Sequence, residues 1–246
     1  MDRNPFQKFF QVVYEDNHLI VVDKAAGVLV QGDQTGDQPL VEMVRQFLKE
    51  KYQKPGNVFC GVVHRLDRPV SGLVILAKTS KGLERMNELF RRRKVQKTYW
   101  AVVSRKPPAP KAKLTHWLIK NEQRNVTSAY DDAREGAQRA ELTYEILGKL
   151  DRYHLLEVRP VTGRPHQIRV QLAAINCPIR GDVKYGYDRP NRNADINLHA
   201  RRLDFIHPVK KEPVICLAGL PDDGFWDQFL AVARPDVSDK NLDFLH

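Results

Sequence analysis

An α+β fold built on a large, mostly antiparallel sheet flanked by helices and loops is what the sequence predicts, on three observations. Strand-like runs outnumber helix-like ones. The two kinds do not alternate regularly, as they would in a doubly wound protein. No internal repeat or low-complexity tract interrupts the 246 residues. With 42% of residues hydrophobic, the chain can bury a substantial core, as one large domain or two small ones.

The elements follow in order. Residues 11–14 and 18–23 read as short β-runs separated by the turn-prone Glu15-Asp16-Asn17, and Gly27 and Gly32 then mark a loop. Leu40, Met43, Val44, Phe47 and Leu48 carry helical spacing, ended by Lys54-Pro55-Gly56. Val62-Val63 leads into a loop, and residues 72–77 form an apolar run short enough to be a buried strand. A second helix is expected from Ser80, with Leu83, Met86 and Phe90 inward and Arg91-Arg92-Arg93-Lys94 as its last turn. Cations there suit the negative end of the helix dipole and equally suit RNA phosphates. Residues 98–103 are a third clear strand, residues 106–110 a Pro-rich turn, and residues 121–138 a polar surface loop or hairpin tip. Residues 140–147 and 153–158 look like paired strands, Pro165 opens a third helix, and strands at 198–206 and 214–218 precede Phe225, Trp226 and Phe229. The expected organisation is an N-terminal arm (1–10), one domain (11–232) and a polar C-terminal tail (233–246).

Forty Lys and Arg against thirty Asp and Glu leave a net charge of +10, which argues for a polyanionic partner. Cys60, Cys177 and Cys216 are scattered, form no CxxC pair, and read as free buried thiols of a reducing compartment. The N-terminus lacks an apolar targeting segment, and no span approaches the ~20 apolar residues that cross a bilayer. The expectation is a cytoplasmic protein without membrane contact.

Three segments carry candidate chemistry. In His64-Arg65-Leu66-Asp67-Arg68, one carboxylate stands among three potential cations, and neighbouring positive charge favours an ionised carboxylate, able to act as nucleophile or base. Read blandly, it is a salt-bridged loop residue. In Lys97-Thr98-Tyr99-Trp100, a strand tyrosine is otherwise core or sheet surface. In Thr162-Gly163-Arg164-Pro165-His166-Gln167-Ile168-Arg169, Gly163 and Pro165 set up a helix start that favours anions, with His166 and Arg169 three apart on one face. The plain alternative there is a surface ion-pair helix.

Together and in this order, the segments resemble the signatures of the RluA-type RNA pseudouridine synthases, whose motifs run close to HRLDR-xSGLLLLAKT, KxYxAxV, TGRTHQIRVHL and GDxxYG. This chain has HRLDRPVSGLVILAKT at 64–79, KTYWAVV at 97–103, TGRPHQIRVQL at 162–172 and GDVKYG at 181–186. Val21-Val22-Asp23-Lys24-Ala25-Ala26-Gly27 looks like the family's first motif, and Leu198-His199-Ala200 completes the set. The likeness runs from about residue 11 to 220. Ala25 stands where Pro is usual, Val70 and Pro165 where Thr is common, and Gln171 where His is frequent. These departures bear on loop shape and substrate more than on activity.

The resemblance implies a pseudouridine synthase fold acting on uridine in ribosomal or transfer RNA, without the N-terminal S4-type RNA-binding module that many relatives carry. It implies Asp67 as catalytic carboxylate, Tyr99 stacking on the flipped uracil, and Arg169 pairing with Asp67. It makes His64, Arg65, Arg68, Arg91, Arg92, Arg93, Lys94, Arg164 and His166 RNA contacts. No metal, nucleotide or redox cofactor, no membrane and no obligate protein partner is implied, and a monomer is the expected state. Two rivals come from other classes. A non-catalytic RNA-binding factor of the same fold accounts for the charge but leaves Asp67, Tyr99 and Arg169 together unexplained. A metal-dependent phosphoesterase using His64, Asp67, His166, His199 or His207 lacks an HxxxH or HD pair.

Overall fold

The structure, a computed structural model, describes residues 5–233; the tail expected from 233 lies outside these apart from its first residue. The described chain forms two compact units. The first comprises residues 5–96 and Ala200–Pro221, the second Lys97–His199 and residues 222–233.

In the first unit, strands β1 (Phe10–Glu15), β2 (Leu19–Lys24), β4 (Ser71–Ala77) and β10 (Leu198–Ile206) are successive neighbours, with β11 (Pro213–Leu217) on β10 and the short β3 (Gly61–Val62) on β4. The pairs β1–β2, β2–β4, β3–β4 and β10–β11 are antiparallel. Every residue of β4 is buried, as a short all-apolar run requires. Its odd positions Leu73, Ile75 and Ala77 join Leu19, Val21, Leu203, Phe205, Val214 and Cys216 in one core cluster, completed by Met86 of helix α2 (Ser80–Arg91). Helix α1 (Leu40–Lys51) buries Leu40, Val41, Met43, Val44 and Leu48, and its Phe47 ring meets Phe10 edge-on at 5.8 Å.

Thr79 caps α2, its Oγ1 accepting from Gly82 N at 3.0 Å. The cationic run departs from expectation: the helix stops at Arg91, Arg92 is the C-cap, and Arg93 turns left-handed at φ 58°. Glu88 sits one turn back, and both Arg91 and Arg92 bond to it.

The second unit is the antiparallel series β5 (Val95–Val103), β9 (Tyr153–Pro160), β8 (Gln138–Leu150), β6 (Lys111–Asn121) and β7 (Val126–Tyr130). Helix α3 (Gln167–Ala174) packs on β6 and β7, its Val170 clustering with Leu118 and Ala140. A 3-10 turn (Val183–Tyr185) and helix α4 (Asp227–Leu230) follow. Two strands differ from the sequence reading. Strand β6 was not foreseen, and β7 lies inside the segment 121–138 read as loop or hairpin tip. The third helix also starts at Gln167, two residues after Pro165, because His166 is left-handed at φ 54°.

Eleven strands against four short α-helices among the described residues make this the expected α+β fold. Cys60, Cys177 and Cys216 are free and buried. No helix among the described residues is long and apolar enough to cross a membrane.

Candidate active site

In the first unit, Asp67 lies in the loop 63–70 between β3 and β4. Leu66 and Val70 are buried and pin the loop, and Val70 N donates to Asp67 O at 3.1 Å to close a turn. Arg65 and Arg68 are left exposed on either side. The turn is sewn to the segment after β2 at one atom. Arg68 O accepts from Gly27 N at 2.8 Å and from Lys24 Nζ at 3.4 Å.

Lys24 is fully buried and also donates to Ala25 O and Val28 O, each at 2.9 Å. Burial drives its ammonium down to about 7, against the pull of Asp67 and Asp23 and with a further push from Arg68. Its neighbour Asp23 is raised by burial to about 6, although Gly219 N–H, Arg201 and Lys24 act the other way. A buried Lys among the apolar residues of a strand is the signal that sequence reasoning passed over. Motif matching noted Lys24 without giving it a role.

Lys24→Met tests this anchor. The folded value of about 7 lies below the ordinary 10.5, so the unfolded chain holds the extra proton between those limits. This group's contribution to stability therefore rises with pH across that window. The variant leaves buried carbonyls without a donor and should lose about 1–3 kcal/mol at pH 7. The deficit should widen toward pH 9, by up to about 1.4 kcal/mol per pH unit. Urea melts at both pH values read this, and a gap that stays constant would show that Lys24 is charged in the folded protein.

The other expected contacts of this unit are occupied to different degrees. His64 Nε2 accepts from Ile75 N at 3.0 Å and its ring stacks on Phe90 at 4.9 Å. Arg68 bridges Gly27 O (3.1 Å) and Asp37 Oδ2 (2.6 Å). Arg93 and Lys94 are exposed, as are Arg91 and Arg92 while bound to Glu88.

In the second unit, half-buried Tyr99 stands opposite Val158 on β9, and Lys97 is its next neighbour on the same face of β5. Lys97 Nζ approaches the turn at Gly163, and burial lowers its ammonium. Arg169 is buried, with a bidentate grip on Asp182: Nε to Oδ2 at 2.7 Å and Nη2 to Oδ1 at 2.9 Å. Its guanidinium lies 5.0 Å from the Tyr185 ring. Tyr185 Oη accepts from Thr127 N (2.9 Å) and is bonded to His166 Nδ1 (2.7 Å). Thus His166 reaches this cluster from a left-handed residue ahead of the helix, not from the helical face expected. Asp182 and Tyr185 belong to the GDVKYG motif, yet only the fold shows that they hold Arg169 and His166.

The loop before α3 is fixed by buried Gln167, whose Oε1 accepts from Thr162 Oγ1 and Arg164 N while its Nε2 donates to Glu141 O. Arg164 Nε bonds Arg139 O at 3.3 Å. Gln171, the departure from the motif's His, donates to His116 Nδ1 at 3.0 Å. Of the histidines in the metal reading, His207 Nδ1 accepts from Lys210 N (2.9 Å) and its Nε2 faces Asp16 at 2.9 Å. Among the described residues no three His, Cys, Asp or Glu side chains gather into a metal-holding group.

Comparison with known proteins agrees with this arrangement of motifs. Residues 18–174 match the family model described as RNA pseudouridylate synthase. The tRNA pseudouridine synthase C of Vibrio cholerae is 31% identical over 239 residues, 90% of this chain and 94% of that protein. The ribosomal large subunit pseudouridine synthase C of Buchnera aphidicola is 31% identical over 219 residues, 85% of this chain and 66% of that protein. The solved structure of human RNA Pseudouridylate Synthase Domain Containing 4 has the same fold, with a TM-score of 0.74 at 24% identity over 94% of this chain and 96% of that one. Fold and motifs define an RNA-modifying isomerase. The chain belongs to the RNA pseudouridylate synthase family and is of RluA type, a family whose chemistry converts uridine to pseudouridine within RNA.

Proposed function

We propose that this chain isomerises uridine to pseudouridine in transfer RNA or ribosomal RNA, with Asp67 as the catalytic carboxylate. The observation that carries the reading is the family match across residues 18–174, which spans all three segments holding Asp67, Tyr99 and Arg169. Transfer RNA is the better-supported class, because the relatives whose full length this chain matches are named for it.

The reaction breaks the N1–C1′ bond, turns the uracil and rejoins it through C5. The base has to leave its stack first, and pocket contacts offset the lost stacking. In this reading Asp67 supplies the carboxylate that acts on the flipped nucleotide, and Arg169 pairs with it. Tyr99 stacks on the uracil and assists loss of the C5 proton. Exposed Arg65, Arg93 and Lys94 and half-buried Arg164 take phosphates, with His64 and His166 holding the loops from which their neighbours reach. Arg68, Arg91 and Arg92 can exchange their carboxylates for phosphate, since exposed ion pairs contribute little. The enzyme works as a cytoplasmic monomer, and no step calls for a cofactor.

Tritium release from RNA labelled at uracil C5 tests the reading directly, because joining C5 to C1′ must expel that hydrogen. Transfer and ribosomal RNA from a strain lacking the gene serve as substrates. Release that continues in EDTA is the expected result. RNA binding without release from either RNA would favour a non-catalytic binding factor.

A further inference from the structure

The end of the second unit where β8 turns into β9 carries cations and aromatic rings that the proposed reaction does not use. Strands β8 and β9 meet there in a tight turn, Leu150 pairing Tyr153 across Asp151 and Arg152. Arg152 is exposed and its guanidinium lies 5.3 Å from the Tyr153 ring. Phe225 meets Tyr153 edge-on at 5.3 Å, and the Arg180 guanidinium lies 3.9 Å from the Phe225 centroid and 5.7 Å from Tyr153. Arg180 is held by a neutral group, Nη1 donating to Asn197 Oδ1 at 2.6 Å, so its charge is not spent on a carboxylate. Lys149 stands across from His154 in the register, and exposed Arg105 and Lys106 follow directly after Val103, the β5 partner of His154.

None of Arg105, Lys106, Lys149, Arg152 and Arg180 makes a salt bridge to a carboxylate among the described residues. Asp151 stands in the turn, and Asp223 Oδ1 accepts from Phe225 N at 2.9 Å. The surplus positive charge shows in its neighbours. Burial opposes ionisation of the Tyr153 phenol, yet hydrogen bonds from Tyr187, Arg152 and Arg180 bring it down to about 8. Burial and then the charges of Lys149 and Lys106 lower the His154 imidazole.

Five uncompensated cations interleaved with Tyr153, Tyr187 and Phe225 match the chemistry that holds nucleic acid: guanidinium and ammonium for phosphate, ring faces for bases. We propose that this end of the sheet is a second RNA-contacting surface, gripping the phosphate backbone of the substrate well away from the uridine being modified. Tyr153 lies five residues beyond Val158, the partner of Tyr99, which sets the surface about 17 Å along the strands from that tyrosine. The proposal rests on RNA being the substrate.

The test is the triple variant Lys106→Glu, Lys149→Glu, Arg152→Glu in the full chain, all three side chains being exposed. Filter binding of labelled total transfer RNA across a salt series measures affinity without requiring turnover. The expected result is about a tenfold weaker Kd at 150 mM KCl and a salt slope shallower by two to three contacts, at roughly 0.7–0.9 each. In tritium release, KM should rise about tenfold on whole RNA with kcat unchanged. An unchanged Kd and slope overturns the surface, whatever the enzyme does. A wild type that releases no tritium but loses RNA affinity in the triple variant overturns the enzymatic reading and keeps the surface.

Discussion

Asp67→Asn is expected to lose tritium release by at least about 10⁴-fold while keeping its melting temperature and its affinity for RNA. Asparagine has almost the same shape, so the loop pinned by Leu66 and Val70 keeps its turn. What disappears is a charge that can attack or accept a proton, and removing a group in that role costs 10²–10⁴-fold or more. Substitutions in a loop, away from the core, usually stay within about 0.5 kcal/mol, so a folding defect is not the expected cause. Asp67→Glu should recover little. One added methylene moves the carboxylate by about 1 Å, enough to cost roughly 10²-fold in a positioned reaction. A purified, folded Asp67→Asn protein within tenfold of wild-type activity would remove Asp67 from the chemistry and restore its reading as an ion-paired loop residue.

Gly72→Ala is the substitution expected to damage folding most. Gly72 is the second residue of β4 and sits at φ 109°, a conformation that L side chains avoid. A Cβ built there falls 2.4 Å from Ala200 O, 2.5 Å from Ala200 N and 2.8 Å from Ala200 C. These are backbone atoms of β10, the strand beside β4 in a buried sheet, and no rotamer change moves them aside. Strain and overlap together should exceed about 4 kcal/mol, a large share of the 5–15 kcal/mol that holds a domain folded. The variant should melt at least 10 °C lower or fail to accumulate as soluble protein. Gly27→Ala is the control, because Gly27 has φ 86° but open space around its Cβ. It should lose only about 1–2 kcal/mol. A Gly72→Ala protein melting within 2 °C of wild type would mean that β4 and β10 do not approach as described.

Residue spacing disclosed the elements whose apolar pattern is unmixed. The all-buried run of β4 and the helical spacing of α1 and α2 could be read directly, because one face or both must leave water. Strand β6 could not. Its inward positions alternate as Leu114, His116 and Leu118 among lysines and threonine, and the His116 ring is held at Nδ1 by Gln171, far along the chain. Strand β7 is five residues with a single valine, held by pairing with β6 rather than by its own propensity. The start of α3 shifted because a left-handed His166 is stabilised by Tyr185, nineteen residues later. The motif residues themselves were legible by resemblance. Their supports, Lys24 under the Asp67 turn and Asp182 under Arg169, depend on contacts between distant segments that no local pattern announces.

The first unit is assembled from two pieces of chain with most of the second unit between them: its residues run to 96 and resume at Ala200. While the protein is being synthesised, β4 therefore has no β10 beside it until some hundred further residues have left the ribosome. Strand β4, which follows the Asp67 loop, gains this neighbour only near the end of translation, and high sequence separation of this kind slows folding. A chain ending prematurely before Ala200 carries every residue of the HRLDR segment yet lacks the strand behind it. The strand that leads out of the Asp67 loop is thus finished late, by a segment that contributes none of the proposed chemistry.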